Sequence, residues 1–308
     1  MSRPLFARGS RGWLVGRIQS ALSLERLYTA PIDDDYGGLT ERAVTAFQQA
    51  QNASPTGRVD DLTWTALLNE PIPSLFHRCL QLTSYFEGHG FTRAAGNWDG
   101  AGLTWGIIGF TLKFGKVQEI ILEAAQRDPI AVRAALVGLN NELLRILQAP
   151  LAEQMAWADS ISEPPPKKHF IREPWRSAFV RVGELDVVRD IQLRRAHEDY
   201  FVPALATARR YGLASEQGMA LCFDIHVQNG GIDRDDAAAI AADLPALPAG
   251  DEKALRVLIA NSVANNARPD FREDTRSRKL AIASGSGTVR GARFSLDAWG
   301  LGDFPASV

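Results

Sequence analysis

Two stretches decide the fold class: Leu75-Phe76-His77-Arg78-Cys79-Leu80-Gln81-Leu82-Thr83-Ser84-Tyr85-Phe86-Glu87, and, beyond a Gly-rich turn, Leu103-Thr104-Trp105-Gly106-Ile107-Ile108-Gly109-Phe110. In the first, Leu75, Cys79, Leu82 and Phe86 recur at i, i+4, i+7 and i+11. That is the apolar stripe of an amphipathic helix, and it predicts a helix ending near Glu87-Gly88. In the second, aromatic and β-branched residues stand among glycines, which predicts a short strand or hairpin. From Val117 onward nearly everything reads helical, interrupted by the Pro164-Pro165-Pro166 turn. Met219 to Val227 is apolar almost all round, as a helix surrounded by other helices would be. A Gly/Ser stretch from Ser284 to Gly287 opens what reads as an irregular tail with a final short Trp299 segment. The chain is therefore expected to be mainly α, with a larger α+β domain carrying a small β hairpin.

Upstream, Pro71 and Pro73 punctuate the chain and predict a boundary, with one domain over 1–70 and a second over 74–308. Leu14, Ile18, Ala21 and Leu22 fall at helical spacing, as do Leu39, Ala43, Val44 and Phe47. A third helix fits Leu62 to Leu68, capped by Asp61 or Asp60. Between the first two, Gly37 and Gly38 are expected to supply the positive φ of a tight turn, and Thr40 to cap the helix that follows. The first domain is thus a small three-helix module.

Composition narrows the function classes. With 308 residues, 45% of them hydrophobic, the chain can bury a sizeable core and is not disordered. A net charge of −2 argues against a protein whose whole surface grips nucleic acid, and no nucleic-acid partner is expected. Arg3, Arg8, Arg11 and Arg17 break up the first twenty residues, so no signal peptide is expected, and no run approaches the length of a membrane span. Cys79 and Cys222, the two cysteines, read as buried thiols. His77, His89, His169, His197 and His226 are scattered without an i,i+4 pair, so neither metal nor cofactor is expected. His226 reads as a hydrogen-bonded core residue, Asp224 as the partner of an arginine such as Arg272 or Arg278, and the pairs Arg194-Arg195 and Arg209-Arg210 as a solvated helix face that could touch an anionic glycan.

Glu87 and Asp99 are the candidates for chemistry. Glu87 ends an apolar helix beside Phe86, where a carboxyl is expected to be partly desolvated with a raised pKa. Asp99 lies in a Gly-rich turn, where it should stay hydrated and ionised, and Thr104 follows at the start of the strand. Two carboxyls in opposite environments suit glycosidic cleavage, one giving a proton to the leaving oxygen and one steering water or stabilising positive charge. The same spacing also fits a solvated helix-end charge and an ordinary turn residue.

The segment Leu82-Thr83-Ser84-Tyr85-Phe86-Glu87, then Asp99-Gly100-Ala101-Gly102-Leu103-Thr104-Trp105-Gly106-Ile107-Ile108-Gly109-Phe110, resembles the catalytic region of the chitosanase family of the lysozyme-like superfamily. Tyr200-Phe201 with Pro203-Ala204, the helix containing Phe223-Asp224 and ending Asn229-Gly230, and Arg272, Asp274-Thr275 and Arg278 extend that resemblance. It implies a lysozyme-like fold with Glu87 as general acid, Asp99 as second carboxylate and Thr104 holding the nucleophilic water; Trp98 and Trp105, close to these in sequence, are the candidates for contact with the glycan. Ala101 and Val202 stand where the family usually has Arg and Asp, so charges of the chitosan-specific shell are missing while the catalytic skeleton is kept.

Upstream, Asp33-Asp34-Asp35-Tyr36-Gly37-Gly38-Leu39-Thr40, with Ala43-Val44, Phe47-Gln48, Thr56-Gly57-Arg58-Val59-Asp60, Thr63-Trp64 and Leu67-Leu68, resembles the three-helix peptidoglycan-binding domain; Asp34 stands where that family commonly has Gly. This implies peptidoglycan as partner and a wall-peptide groove around Asp35, Tyr36, Gly37 and Phe47. Together the two resemblances imply a monomeric, endolysin-like peptidoglycan hydrolase of muramidase type, bacteriolytic and antimicrobial. It would be made in the cytoplasm and act on the periplasmic wall after release or export by another route. The alternatives are a chitosanase, a lytic transglycosylase and a non-catalytic wall-binding protein.

Overall fold

The computed structural model describes residues 5–88 and 90–307, so Arg3 and His89 lie outside the described residues. The chain divides into two compact units, Met1–Thr83 with Tyr200–Val308, and Ser84–Asp199. The division does not follow the Pro71–Pro73 punctuation.

Within the first unit, α1 (Trp13–Leu24), α2 (Gly38–Ala50) and α3 (Asp61–Leu68) enclose a core of their own. Leu14, Val15, Ile18 and Leu22 from α1 meet Val44 and Phe47 from α2 and Trp64 from α3. Each aliphatic side chain so buried contributes on the order of 1.5–3 kcal/mol relative to exposure. Asp60 caps α3, its carboxylate accepting the Thr63 N–H at 2.9 Å. Two expectations about the α1–α2 loop are corrected. Gly37 has φ −86° and is extended, while Asp34 takes the left-handed conformation at φ 60°. Thr40 does not cap α2; the helix starts at Gly38, and Thr40 is buried in its first turn. The reason is Gln19, a fully buried α1 side chain whose oxygen accepts the Asp33 and Asp34 N–H groups and whose nitrogen lies 3.0 Å from the Asp35 carbonyl and 3.1 Å from Thr40 Oγ1. Once that buried amide holds the loop, capping by Thr40 is not needed.

The same unit contains the start of α4 (Leu75–Glu87) and α11 (Val202–Tyr211), α12 (Glu216–Asn229), α13 (Arg234–Asp243), α14 (Glu252–Asn266) and α15 (Arg272–Ser284). α12 is buried from Glu216 to Ile225, the all-round burial its composition predicts. The expected irregular tail is instead a hairpin, β4 (Ser286–Val289) against β5 (Ala292–Ser295), followed by a short 3-10 turn at Leu296–Trp299. The two-residue connection Arg290-Gly291 has positive φ at both positions, as a twisted hairpin requires.

The second unit holds the end of α4, a three-stranded antiparallel sheet of β1 (Ala94–Ala95), β2 (Thr104–Trp105) and β3 (Phe110–Thr111), and the helices α5 (Lys116–Arg127), α6 (Pro129–Leu136), α7 (Asn140–Leu147), α8 (Leu151–Ile161), α9 (Trp175–Glu184) and α10 (Asp186–Ala196). The fold is mainly α with a small antiparallel β element, as expected. Among the described residues, no helix is long and apolar enough to cross a membrane.

Candidate functional site

Glu87, Asp99 and Thr104 all lie in the second unit. α4 carries Glu87 as its last residue, half-buried, between buried Phe86 and a Gly88 whose N–H bonds the Tyr85 carbonyl at 3.1 Å. Arg93 donates through its guanidinium to the Gly88 carbonyl, placing a cation at the negative end of the α4 dipole. The Arg93 carbonyl in turn accepts the Gly106 N–H at 2.9 Å. One residue therefore ties the helix end bearing Glu87 to the strand bearing Thr104.

Thr104 sits in β2, opposite Ala95 on one side and Thr111 on the other. Asp99 lies in the β1–β2 loop, exposed, its carboxylate accepting the Ala101 N–H at 3.0 Å. The loop is fastened by buried Asn97, whose side-chain oxygen accepts the Gly102 N–H at 2.8 Å and whose amide nitrogen donates to Asp159 at 2.9 Å. Its backbone N–H donates to Ser162 Oγ at 2.9 Å. Lys168, 2.6 Å from Asp159, and Asn97 hold the Asp159 carboxyl below the usual carboxylate range, so this anchor is charged at neutral pH. Gly106 has φ 88°, and a Cβ there would come within 2.4 Å of Gln192 Oε1, the atom that accepts the Ile107 N–H at 2.9 Å. Only glycine fits where that buried amide approaches the backbone.

Arg93, Asn97 and Gln192 were not singled out from the sequence. Asn97, an asparagine at the start of a Gly-rich turn, carried a local signal as a turn residue. Arg93 and Gln192 carried none, because Arg93 acts through backbone groups of Gly88 and Gly106, which no residue pattern marks, and Gln192 through an N–H 85 residues away.

The two tryptophans separate. Trp98 is 56% exposed beside Asp99 and is available to a ligand. Trp105 is fully buried against Phe179, with ring centroids 5.8 Å apart. The expectation that Trp105 contacts glycan does not fit this position; alternation along β2 turns it into the core. In the N-terminal module the expected groove residues separate likewise. Tyr36 is fully buried and its hydroxyl donates to the Gly57 carbonyl at 3.0 Å, and Phe47 is a core residue. Asp35 and Gly37 remain partly accessible, with Arg11 3.7 Å from the Asp35 carboxylate.

Asp224 accepts from Arg278 at 2.6 Å, from Lys279 at 2.5 Å and from Thr83 Oγ1 at 3.2 Å, all four residues being buried in the first unit. Burial opposes its charge, but the two cations and their hydrogen bonds prevail and hold its pKa below the ordinary value. Of the two arginines considered from the sequence, the partner is Arg278. His226 lies 2.8 Å from Thr207 Oγ1, and burial lowers its pKa. Arg194 and Arg195 are engaged by Glu119, Glu123 and Glu198 rather than turned to a ligand. Cys79 and Cys222 are free and buried; burial pushes both thiols up, Cys222 to about 12. Among the described residues, no group of three or more His, Cys, Asp and Glu side chains is arranged to hold a metal ion.

Residues 11–67 match the family model described as "Putative peptidoglycan binding domain". No curated protein matches the chain. Among solved structures, the chain is similar to a chitosanase co-crystallised with its substrate, at 22% identity and TM-score 0.50, covering 70% of this chain and 94% of that one. It is also similar to a chitosanase from Gynuella sunshinyii in complex with chitotetraose, at 19% identity and TM-score 0.50, covering 73% and 98%. The likeness is one of fold.

Proposed function

We propose that this protein is a modular cell-wall glycosidase, with residues 1–70 serving attachment to peptidoglycan and 74–308 carrying the hydrolytic site, and that it cleaves β-1,4 bonds of the glycan strand. The observation that carries this reading is the pairing, in one chain, of a segment matching a peptidoglycan-binding family with a chitosanase fold. In that fold a carboxyl ends α4, and a second, exposed carboxyl stands on the β1–β2 loop, five residues before a strand threonine. Attachment raises the local concentration of polymer at a hydrolytic site.

In this mechanism the Glu87 carboxyl gives its proton to the glycosidic oxygen as the C1–O bond breaks. A water held by Thr104 adds to C1, and Asp99 takes the proton that water loses. The Asn97 clamp on the loop and the Arg93 link at the helix end hold these groups in place before substrate arrives, which is where a positioned acid and base gain their advantage. The pairing with a segment that matches a peptidoglycan-binding family favours wall glycan over chitosan.

The test is digestion of purified peptidoglycan and of chitosan, with the released ends identified by mass spectrometry. Reducing muramic acid ends from peptidoglycan, with chitosan barely touched, are expected. Efficient chitosan depolymerisation beside intact sacculi reverses the substrate assignment. Anhydro ends replace hydrolysis by transglycosylation, and no product from either polymer leaves a binding protein.

A further inference from the structure

We infer that Phe170 and His169, on the loop that follows α8, form with Trp98 an aromatic shelf for a pyranose ring of the glycan strand, beside the site of cleavage. The inference deepens the glycosidase reading above and rests on it for the nature of the polymer. All three residues belong to the second unit.

The loop is closed on itself before any ligand arrives. The Arg172 N–H bonds the Ile161 carbonyl at 2.8 Å, and the Glu163 N–H bonds the Phe170 carbonyl at 2.9 Å. Between them the Lys167 N–H reaches the Pro164 carbonyl and the Phe170 N–H the Lys167 carbonyl, both at 2.9 Å, so the segment is two successive turns.

This loop is fastened to the one that carries Asp99. The Gly96 N–H bonds the His169 carbonyl at 3.0 Å, and a Cβ at Gly96 would lie 2.5 Å from the Lys168 carbonyl oxygen, an approach that only glycine allows. Ser162, buried at the foot of the loop, takes the Asn97 N–H and donates to the Ala158 carbonyl at 2.7 Å. Lys168 and Asn97 share the Asp159 carboxylate.

The rings on this framework stay in solvent. Phe170 is 50% exposed, and His169 and Trp98 are exposed as well; the His169 and Phe170 ring centroids lie 3.9 Å apart. One exposed aromatic residue is ordinary. Three of them on two loops joined at Gly96, next to a candidate catalytic carboxylate, make a surface suited to a ligand. A β-1,4-linked pyranose carries C–H groups on its faces and its hydroxyl and acetamido groups around its edge. A face can therefore pack on flat rings while the edge stays hydrated. Because the backbone under the rings is already fixed, little further ordering accompanies binding.

The test measures cleavage of soluble, peptide-free glycan strands by the full chain and by variants of the shelf. Phe170→Ala is expected to raise KM about fivefold with kcat and melting temperature unchanged, since the shelf holds ground state and transition state alike. Phe170→Leu keeps apolar bulk without a flat face and should lose as much, whereas Phe170→Tyr should keep the wild-type KM. Adding His169→Ala to Phe170→Ala should raise KM further. Wild-type KM in that double variant, or a lower kcat at constant KM, overturns the shelf and leaves the glycosidase standing. Where wild type releases no product, the same strands are titrated into it by calorimetry. Binding that weakens about fivefold in Phe170→Ala keeps the shelf without the hydrolase, and binding that the variant leaves unchanged overturns the shelf. No binding by wild type overturns both.

Discussion

The side-chain oxygen of Gln81, in α4, accepts the backbone N–H of Leu14, in the first turn of α1, at 2.7 Å, with both residues buried. A first-turn N–H has no partner within its own helix, so a side chain 67 residues away completes α1. Nearby, the Arg11 N–H bonds the Ala298 carbonyl, and the Trp13 and His77 rings meet edge-on at 5.9 Å. The N-terminal helices are thus structurally continuous with the start of α4 and the C-terminal segment. Gln81→Leu should lower unfolding free energy by about 1–3 kcal/mol, through the orphaned N–H, in urea titration. A fragment starting at residue 72 should melt below the full chain and bind a hydrophobic dye. An unchanged urea midpoint and dye-silent fragment would show that the Pro71–Pro73 break also separates two independent folding units.

Glu87 ends a helix and Asp99 is exposed, so neither is a packing group. Glu87→Gln keeps shape but has no acidic proton to give, and turnover should fall by about a hundredfold or more at an unchanged melting temperature. Asp99→Asn should lose activity comparably and Thr104→Ala less. Asn97→Ala, which frees the loop around Asp99, should lower kcat while moving the pH profile of wild type little. A fully active Glu87→Gln variant would remove Glu87 from the mechanism.

The two tryptophans should part in the assay as they do in the fold. Trp98→Ala is expected to raise KM about five- to tenfold at constant stability, the behaviour of a residue that binds substrate and transition state alike. Trp105→Ala should cost about 3–5 kcal/mol of stability through the cavity left beside Phe179. A stable Trp105→Ala protein with a raised KM would return Trp105 to the glycan.

The cluster around Asp224 places one carboxylate against two buried cations. Asp224→Asn should destabilise by about 3–5 kcal/mol, because two charges are left buried without their counter-charge. Lys279→Met, which leaves the Arg278 pair intact, should cost markedly less. Chemical denaturation of the two variants side by side measures the difference, and equal costs would show that the cluster's value lies in packing.

His226 sets a pH dependence whose sign follows from its burial. Its folded pKa lies below the ordinary 6.5, so between the two values the unfolded chain binds more protons than the folded one. Its contribution is therefore fully present above about 6.5 and is lost as pH falls through the folded value. Melting temperature should decline across that window, and His226→Gln, able to keep a bond to Thr207, should flatten that part of the decline. A variant with the wild-type slope would assign the window to other groups.

The candidate acid and base were legible because each depends on neighbours close in sequence: a helix stripe running out at Glu87, a Gly-rich turn around Asp99. The supporting residues were not. Arg93 acts through a carbonyl at Gly88 and an N–H at Gly106, and Gln192 through an N–H 85 residues away, and neither relation leaves a periodic trace.

Sequence pattern alone determined where the first four helices lie, that Asp60 or Asp61 stands in position to cap α3, that α12 is buried along most of its length, and that a small β element follows α4. Those features are set within a few residues, by the 3.6-residue turn and by backbone preferences. Tertiary structure decided the rest. It chose which apolar groups face inward, burying Trp105 and Tyr36 and leaving Trp98 and Leu39 outside. It gave the positive φ to Asp34 rather than Gly37, and brought the Asp34 carboxylate so near α1 that a Cβ on Gly16 would lie 2.0 Å from it. It turned a Gly/Ser stretch into a hairpin, and it grouped the N-terminal helices with the C-terminal segment across more than a hundred intervening residues. The physical reason is that burial and close approach depend on which distant surface arrives opposite a residue, and that information does not reside within one helical turn.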